Sequence, residues 1–449
     1  MRIHFIAVGG AIMHQLAIAL KNKGYIVSGS DDEIKDPART NLLNNGLLPQ
    51  NEGWQPELIT KDLDAVILGM HARADNPELL QAQSLGIKVY SFPQFIYELS
   101  KDKKRIVVAG SHGKTSTTSM IMHVLKEYNY DFDYLVGAKV EGFEHSVKIT
   151  DAPYIVIEGD EYLSSAIERA PKIHFYYPHI AVITGIAWDH INVFPTFENY
   201  CEQFSIFLNK MEENASIIYN AQDCDVVKVV ESAGKHLKSL PYLTPDFDVI
   251  NNELFVDTND GPVKLQIFGS HNLQNMEAAR KVCQAIGIEN QQFYKAMQTF
   301  KGAARRLEKI YDSEELIVFR DFAHAPSKLK ATVKAARERY EHYKIIGIFE
   351  LHTFSSLNAN FLHEYQNSLD GCDAACVYFS EHALQLKKLP ILDKQDIKMG
   401  FDNKDLTVIS EKTELAAFIK QQTQFDKIPV CLLLMSSGTL DDLDLTFPK

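Results

Sequence analysis

The sequence predicts an α/β protein of three successive domains, and three observations carry that reading. Short apolar runs closed by glycine or acidic residues recur along the 449 residues, with stretches of helical spacing between them. Two of these runs lead directly into glycine-containing turns, one at 7–10 and one at 108–118. The chain is also longer than a single hydrophobic core usually serves.

The first domain, 1–103, opens with "HFIAVGG", an apolar strand running into glycines. In the following "AIMHQLAIALKNKG", residues Ile12, Leu16, Ala19 and Leu20 recur at helical spacing, and Gly24 marks the stop. "YIVSGSD" then reads as a second strand ending at Asp31. Strand, glycine turn, helix, strand and acid in this order make a Rossmann-like plan, in which backbone N–H groups meet a diphosphate at a helix N-terminus. Gly9 and Gly10 are in place, but Ala7 occupies the first glycine position. The dinucleotide fingerprint is therefore incomplete, and a dehydrogenase is not indicated. "DAVILGM" and "IKVYSF" add two buried strands.

The second domain, 104–301, carries the runs "RIVVAG", "YIVIEGDE", "IAVITGI" and "ASIIYN", which read as buried parallel strands. A helix is expected from Leu273 to Ile286. The third domain, 302–449, repeats the alternation through "LIVFRDF", "YKIIGIFE", "DAACVYF" and "PVCLLLMSSG", with a helix in "PSKLKATVKAARERYEHY".

Composition narrows the function. A formal net charge of -13 argues against broad binding to nucleic acid or to an anionic membrane. Positive charge for an anionic nucleotide must then be local, as at Lys114. Cys201, Cys224, Cys283, Cys372, Cys376 and Cys431 show no zinc-like spacing and read as buried thiols of a reducing compartment. No signal-peptide pattern opens the sequence, and no apolar stretch approaches the roughly 20 residues of a membrane span. A soluble, cytoplasmic protein is expected.

The chemistry concentrates at 110–116. Gly110 and Gly113 let the backbone turn so that N–H groups face a phosphate. Lys114 brings a mobile charge to the β- and γ-phosphates, and the Thr115 hydroxyl suits Mg²⁺. Val108 stands where the longer phosphate-loop pattern has its first glycine. A plain glycine turn beside a surface lysine is the bland alternative, and the strand before and helix after argue against it. "IEGDEY" places Glu158, Asp160 and Glu161 at a strand end, hard oxygens of the kind a magnesium–triphosphate needs. "ITGIAWDHINVF" ends another strand with Asp189 and His190. These strand ends are expected to converge on one crevice.

Taken in order, "GSHGKTSTT", "IEGDEY", "WDH", "GSHNLQN", "FKGAARRLE" and "DFAHAP" resemble the Mur ligases, which build the peptide stem of bacterial peptidoglycan. The likeness spans essentially the whole chain. It implies a three-domain Mur ligase architecture: a Rossmann-like N-terminal domain for UDP-N-acetylmuramate, a central P-loop ATPase domain, and a Rossmann-like C-terminal domain for an amino-acid or peptide acceptor. "HFIAVGG", "SGSDDE" and "ADNPEL" resemble the branch that activates the muramic acid carboxylate. ATP and Mg²⁺ are the implied cofactors.

By that pattern the loop residues Gly110, Ser111, His112, Gly113 and Ser116 hold phosphate together with Lys114 and Thr115. Thr115, Glu158 and His190 hold the metal. His271 and Asn272 match an adenine-binding segment, Arg306 the γ-phosphate position, Asp321 the ribose position, and His324 a nucleotide-contacting run. Lys114, Glu158, His190 and Arg306 form the implied catalytic set, whereas Arg305 reads as a solvated charge. Gly9, Gly10, Ser30 and Asp31, with His71 and Asn76 on "GMHARADNPEL", are the candidates for the UDP-sugar pocket.

Several positions depart from the pattern. Gly185 and Ala187 replace a usual Asn and Glu, Phe207 lies where many relatives have a carbamylated lysine, and Ala325 replaces a common second histidine. In "FELHTFSSLN", Thr353 and Ser356 stand where L-alanine-adding members typically have two arginines. The "RSNT"-like run of the peptide-adding members is absent too, so neither acceptor pocket is reproduced. "PKIHFYYP" and "FKGAARRLE" resemble the peptide-adding members more closely. The expected reaction joins UDP-N-acetylmuramate to L-alanyl-γ-D-glutamyl-meso-diaminopimelate through an acyl phosphate, in peptidoglycan recycling. L-Alanine is the alternative acceptor. A folylpolyglutamate-synthetase-like ligase would lack the block at 1–100, and a non-catalytic relative would have lost Lys114, Glu158 or His190.

Overall fold

Apolar runs buried along their length become strands of parallel sheets, because both faces are covered by helices. The computed structural model describes residues 1–188, 193–424, 428–441 and 443. The chain forms two compact units, the first Met1–Ile186, Thr196–Tyr242 and Ala278–Ile288, the second Ala187–Pro195, Leu243–Glu277 and Glu289–Lys449.

The first unit contains two sheets. β1 (Arg2–Ile6), β2 (Ile26–Ser30), β3 (Ala65–Leu68) and β4 (Val89–Ser91) form a parallel sheet in the order β2-β1-β3-β4. β1 turns through 7–10 into the helix Met13–Asn22, as the sequence predicts. Ala7 adopts φ 65°, the left-handed conformation a glycine would take without strain. Its side chain also fills the space beside Gly69, where a Cβ would lie 2.9 Å from the Ala7 methyl.

The second sheet comprises β5 (Lys104–Ala109), β6 (Phe132–Leu135), β7 (Val147–Lys148), β8 (Tyr154–Glu158), β9 (Ile180–Ile183), β10 (Ser216–Asn220) and β11 (Lys238–Tyr242). Their order is β11-β10-β9-β5-β8-β6-β7, parallel except for the antiparallel edge strand β7. β5 therefore lies at the centre. A buried arginine fastens its start. Arg105 donates to the carbonyls of Ser100 and Lys101 (2.8 and 3.1 Å) and of Tyr176 and Tyr177 (2.9 and 3.0 Å), and pairs with Glu212. Lys103 beside it donates to the carbonyls of Thr150 and Ala152 and pairs with Asp133 at 2.8 Å.

The second unit contains a small antiparallel sheet of β12 (Phe247–Ile250), β13 (Glu253–Val256) and β14 (Val263–Leu265). It also contains a six-stranded sheet of β15 (Glu308–Asp312), β16 (Leu316–Asp321), β17 (Lys344–Leu351), β18 (Ala374–Phe379), β19 (Thr407–Ile409) and β20 (Val430–Met435). The order is β15-β16-β20-β17-β18-β19, with β15 alone antiparallel. Val318, Ile346, Ile348, Leu432 and Leu434 of its middle strands form the core with Leu415 and Ile419.

The expected helix at 273–286 runs Ser270–Ala285, and the one in the third block runs Pro326–Arg339. All six cysteines are free; Cys224 is exposed, unlike the buried thiols expected. Among the described residues no helix is long and apolar enough to cross a membrane.

Left-handed backbone at an alanine costs about 1 kcal/mol. Ala7→Gly is therefore expected to raise the unfolding free energy by up to about that amount in urea denaturation. A loss of stability would show instead that the methyl's packing outweighs the strain.

Candidate active site

β5 delivers the loop at 110–113 to the C-terminal edge of the second sheet, where α/β proteins bind ligands. Gly110 has φ 129°, and a Cβ there would sit 2.2 Å from the Thr184 hydroxyl oxygen. No other residue fits. That hydroxyl donates to the carbonyls of Ala109 (3.1 Å) and His112, and the Ser111 N–H donates to the Gly185 carbonyl at 2.9 Å. The loop is thus pinned to the end of β9. Gly185 is explained by the same packing: a Cβ there would meet the His112 ring at 2.3 Å.

Gly113, with φ 75°, precedes the helix Lys114–Glu127. Lys114 Nζ donates to the Gly110 carbonyl (2.6 Å) and to Glu161 (2.8 Å). Burial alone would lower the Lys114 pKa, but Glu161, Asp160 and Glu158 outweigh it and raise the value, keeping the ammonium charged. Glu161 is buried and also accepts from the Tyr200 hydroxyl at 3.3 Å, which lies 2.7 Å from Ser111 Oγ. The Thr115 hydroxyl donates to one oxygen of Glu158 (2.7 Å), and the Gly137 N–H donates to the other (2.7 Å). Asp160 is paired with Lys172. The structure therefore brings Lys114, Thr115, Glu158 and Glu161 together at one edge. Asp189 and His190 lie outside the described residues.

At the first turn, the Gly9 N–H donates to Asp31 at 2.7 Å. Burial, assisted by Asp32, pushes the Asp31 carboxyl up to about 6. The Ser30 hydroxyl is turned inward to Glu78, a fully buried carboxylate that also accepts from the Gln55 N–H (2.6 Å) and contacts His4 at 3.3 Å. Asn76 caps the helix Pro77–Ser84, accepting from the N–H groups of Glu78 and Leu79, while His71 is exposed. One residue the sequence reading passed over stands at this turn. His14 Nδ1 donates to the Gly10 carbonyl (2.9 Å), so Nε2 accepts from the amides of Gln15 and Asn41. Its position one turn after the glycines was the available signal.

In the second unit, Asn272 donates to the Phe268 carbonyl at 3.0 Å, and Gly269, with φ 87°, leaves space for Ala335 and the His271 ring. Arg305 and Leu307 both adopt left-handed backbone, with φ 57° and 45°. Asp321 holds that bend, accepting from the Leu307 N–H (2.6 Å), the Ala323 N–H (2.8 Å) and the Thr332 hydroxyl (3.1 Å). Burial raises the Asp321 pKa, and Arg306 with these hydrogen bonds works against the rise. The Arg306 guanidinium lies 4.7 Å from the centre of the Phe322 ring. Arg305 is not the solvated charge expected: it lies 5.6 Å from the same ring and donates to the Gly438 carbonyl. His324 is fixed through Nδ1 and the Phe322 carbonyl at 2.8 Å. After β17, Thr353 and Ser356 hydrogen-bond each other at 3.0 Å within one turn. The same edge holds a pair missed in the sequence: buried Glu350, which accepts from Ser436 and the Leu440 N–H, and His352, 3.5 Å from it.

Comparison with known proteins decides the family. Residues 2–104 match the model described as Mur ligase family, catalytic domain, and residues 108–283 match the Mur ligase middle domain. The UDP-N-acetylmuramate–L-alanine ligase of Caldicellulosiruptor bescii is 33% identical over 389 residues, covering 83% of this chain and 82% of that protein. The chain belongs to the Mur ligase family. It is an ATP-dependent, ADP-forming ligase. The solved UDP-N-acetylmuramate–alanine ligase of Thermotoga maritima shares the Mur ligase fold, with a TM-score of 0.70 and 22% identity across 98% of this chain and 97% of its own. The murein peptide ligase of Psychrobacter arcticus does so too, with a TM-score of 0.67 and 23% identity across 99% and 97%.

Two outcomes are expected of this Mur ligase. Gly185→Ala displaces the His112 ring and should raise the KM for ATP about tenfold, read in a steady-state phosphate-release assay. An unchanged KM would separate His112 from nucleotide binding. Because folding raises the Asp31 pKa, its contribution to stability is full below the unfolded value near 4 and is lost as pH rises through about 6. Asp31→Asn should then raise the melting temperature at pH 7.5, with the gain disappearing below pH 4.

Proposed function

We propose that this ligase joins the muramoyl carboxylate of UDP-N-acetylmuramate to the amine of L-alanyl-γ-D-glutamyl-meso-diaminopimelate. The observation that carries the acceptor is the run after β17, where Thr353 and Ser356 are engaged with each other in a turn and no pair of arginines is present. A second reading, L-alanine as acceptor, is favoured by the name of the 33%-identical relative.

A carboxylate is a poor acyl donor at neutral pH, which is the reason for ATP. In the proposed reaction a carboxylate oxygen attacks the γ-phosphorus, the bond to ADP breaks, and an acyl phosphate forms. The amine then attacks the acyl carbon, loses a proton, and inorganic phosphate departs. Lys114, kept cationic by Glu161, neutralises charge on the transferring oxygens. Arg306, steadied against Phe322, is assigned to the γ-phosphate, His271 and Asn272 to the adenine, Asp321 to the ribose, and His324 to the nucleotide without a finer role. Gly9, Gly10 and Asp31, with Ser30, His71 and Asn76 nearby, are assigned to the UDP-sugar.

Among the described residues no three His, Cys, Asp or Glu side chains gather to hold a metal. The adjacent oxygens of Thr115 and Glu158 fit Mg²⁺ bound chiefly through nucleotide phosphates, with His190 as the further expected ligand. When bound, Mg²⁺ supplies charge neutralisation at the phosphates. The proposed division of labour is 1–103 for the UDP-sugar, 104–301 for ATP and 302–449 for the acceptor.

The test is phosphate release from ATP and UDP-N-acetylmuramate with each acceptor offered separately. Turnover with the tripeptide is expected, with kcat/KM for L-alanine at least about 100-fold lower. Turnover with L-alanine alone would establish the second reading. Failure with both, while UDP-N-acetylmuramate still binds, would overturn both.

A further inference from the structure

The first unit carries a second cationic site, at the edge of the β5–β11 sheet opposite the phosphate loop. A cavity of about 450 Å³ is lined there by residues at the starts of four parallel strands: Lys104 of β5, His179 just before β9, Ser216 of β10 and Lys238 of β11. Lys281, on the helix Ser270–Ala285, completes the lining with the carboxylate of Glu213. Cavities of this size are those that small molecules occupy.

The charge balance is unusual for this chain, in which 59 acidic residues outnumber 46 lysines and arginines. Among the described residues none of the ammonium groups of Lys104, Lys238 and Lys281 has a carboxylate or hydrogen-bond partner. Against their three positive charges stand Glu213 and the carbonyl end of the helix, which counts for about half a negative charge, so an excess of about +1.5 remains. His179 adds a donor without adding charge. Its Nδ1 accepts from the Arg105 N–H at 3.1 Å, which leaves the proton of the neutral ring on Nε2. Burial and the neighbouring Arg105 lower its pKa and hold it neutral. Like charges gathered without counter-ions lower stability, and they are retained where a ligand uses them.

We propose that this cavity is a second binding site, for a small phosphate-bearing anion held by Lys104, Lys238 and Lys281 with the His179 N–H as a neutral donor. It is independent of the loop at 110–116 and of the ligase reaction proposed above. Inorganic pyrophosphate is the probe. Titration calorimetry on the full chain with Lys114→Ala, which silences the loop, should retain a binding event. Adding K238Q and K281Q should weaken that event at least about tenfold, as should raising the salt from 0.05 to about 0.3 M. Removal of like-charge repulsion should leave the melting temperature unchanged or higher, so that lost binding is not lost folding. The same comparison in a chain saturated with ADP, carrying only K238Q, is the second arm. Binding that disappears with Lys114→Ala alone, that K238Q with K281Q leaves untouched in the first arm, or that K238Q leaves untouched in the ADP-saturated chain, would overturn the proposal.

Discussion

The contact between Lys114 and Glu161 is the constraint on which the first unit's active edge depends. A part-buried ammonium and a buried carboxylate both lose hydration on folding, and their mutual attraction offsets this only while both are present. The pair is assembled by sheet order rather than by sequence proximity. Val108 of β5 lies in register with Glu158 of β8, so the segments 109–114 and 159–161 leave the sheet at the same edge. A slip of one residue would reverse the faces of β8 and separate the charges. Tyr200 then closes the arrangement from a third element, touching both Ser111 and Glu161.

What the sequence made legible was what backbone chemistry dictates. The apolar runs became the expected strands, and the two glycine turns fell where a helix meets a strand end. Gly185 shows the limit. Beside its relatives it reads as a lost polar contact, yet in the fold it is the space that the His112 ring occupies, a relation across 73 positions that no local pattern contains. Arg305 was misjudged, and the inward turn of the Ser30 hydroxyl went unread, for the same reason. The partners of a hydroxyl or a guanidinium are chosen by packing, and Glu78 and Gly438 are remote in sequence. The hairpin of β12 and β13 was legible and passed over: Asn251 and Asn252, both with positive φ, form the kind of two-residue turn that asparagine favours.

The second unit concentrates its strain in one short bend. Arg305 and Leu307 lie in left-handed backbone, and the side chain of Asp321 satisfies the Leu307 N–H across the end of β16. That bend fixes the direction in which the Arg306 side chain leaves the backbone, and its guanidinium rests over the Phe322 ring. Pre-positioning of this kind reduces the entropy lost when a charged side chain meets a ligand.

Arg105 bears on how this chain could be recombined with its relatives. Sequence alone suggests a boundary at 103, a natural point for exchanging the N-terminal block between family members. The guanidinium, however, takes carbonyls from residues 100 and 101 on one side and from 176 and 177 on the other. A graft made at that boundary would preserve both sheets and still have to return two carbonyls to the same place beside a buried cation. The transferable piece therefore ends not where the motif changes but where the arginine's hydrogen bonds do.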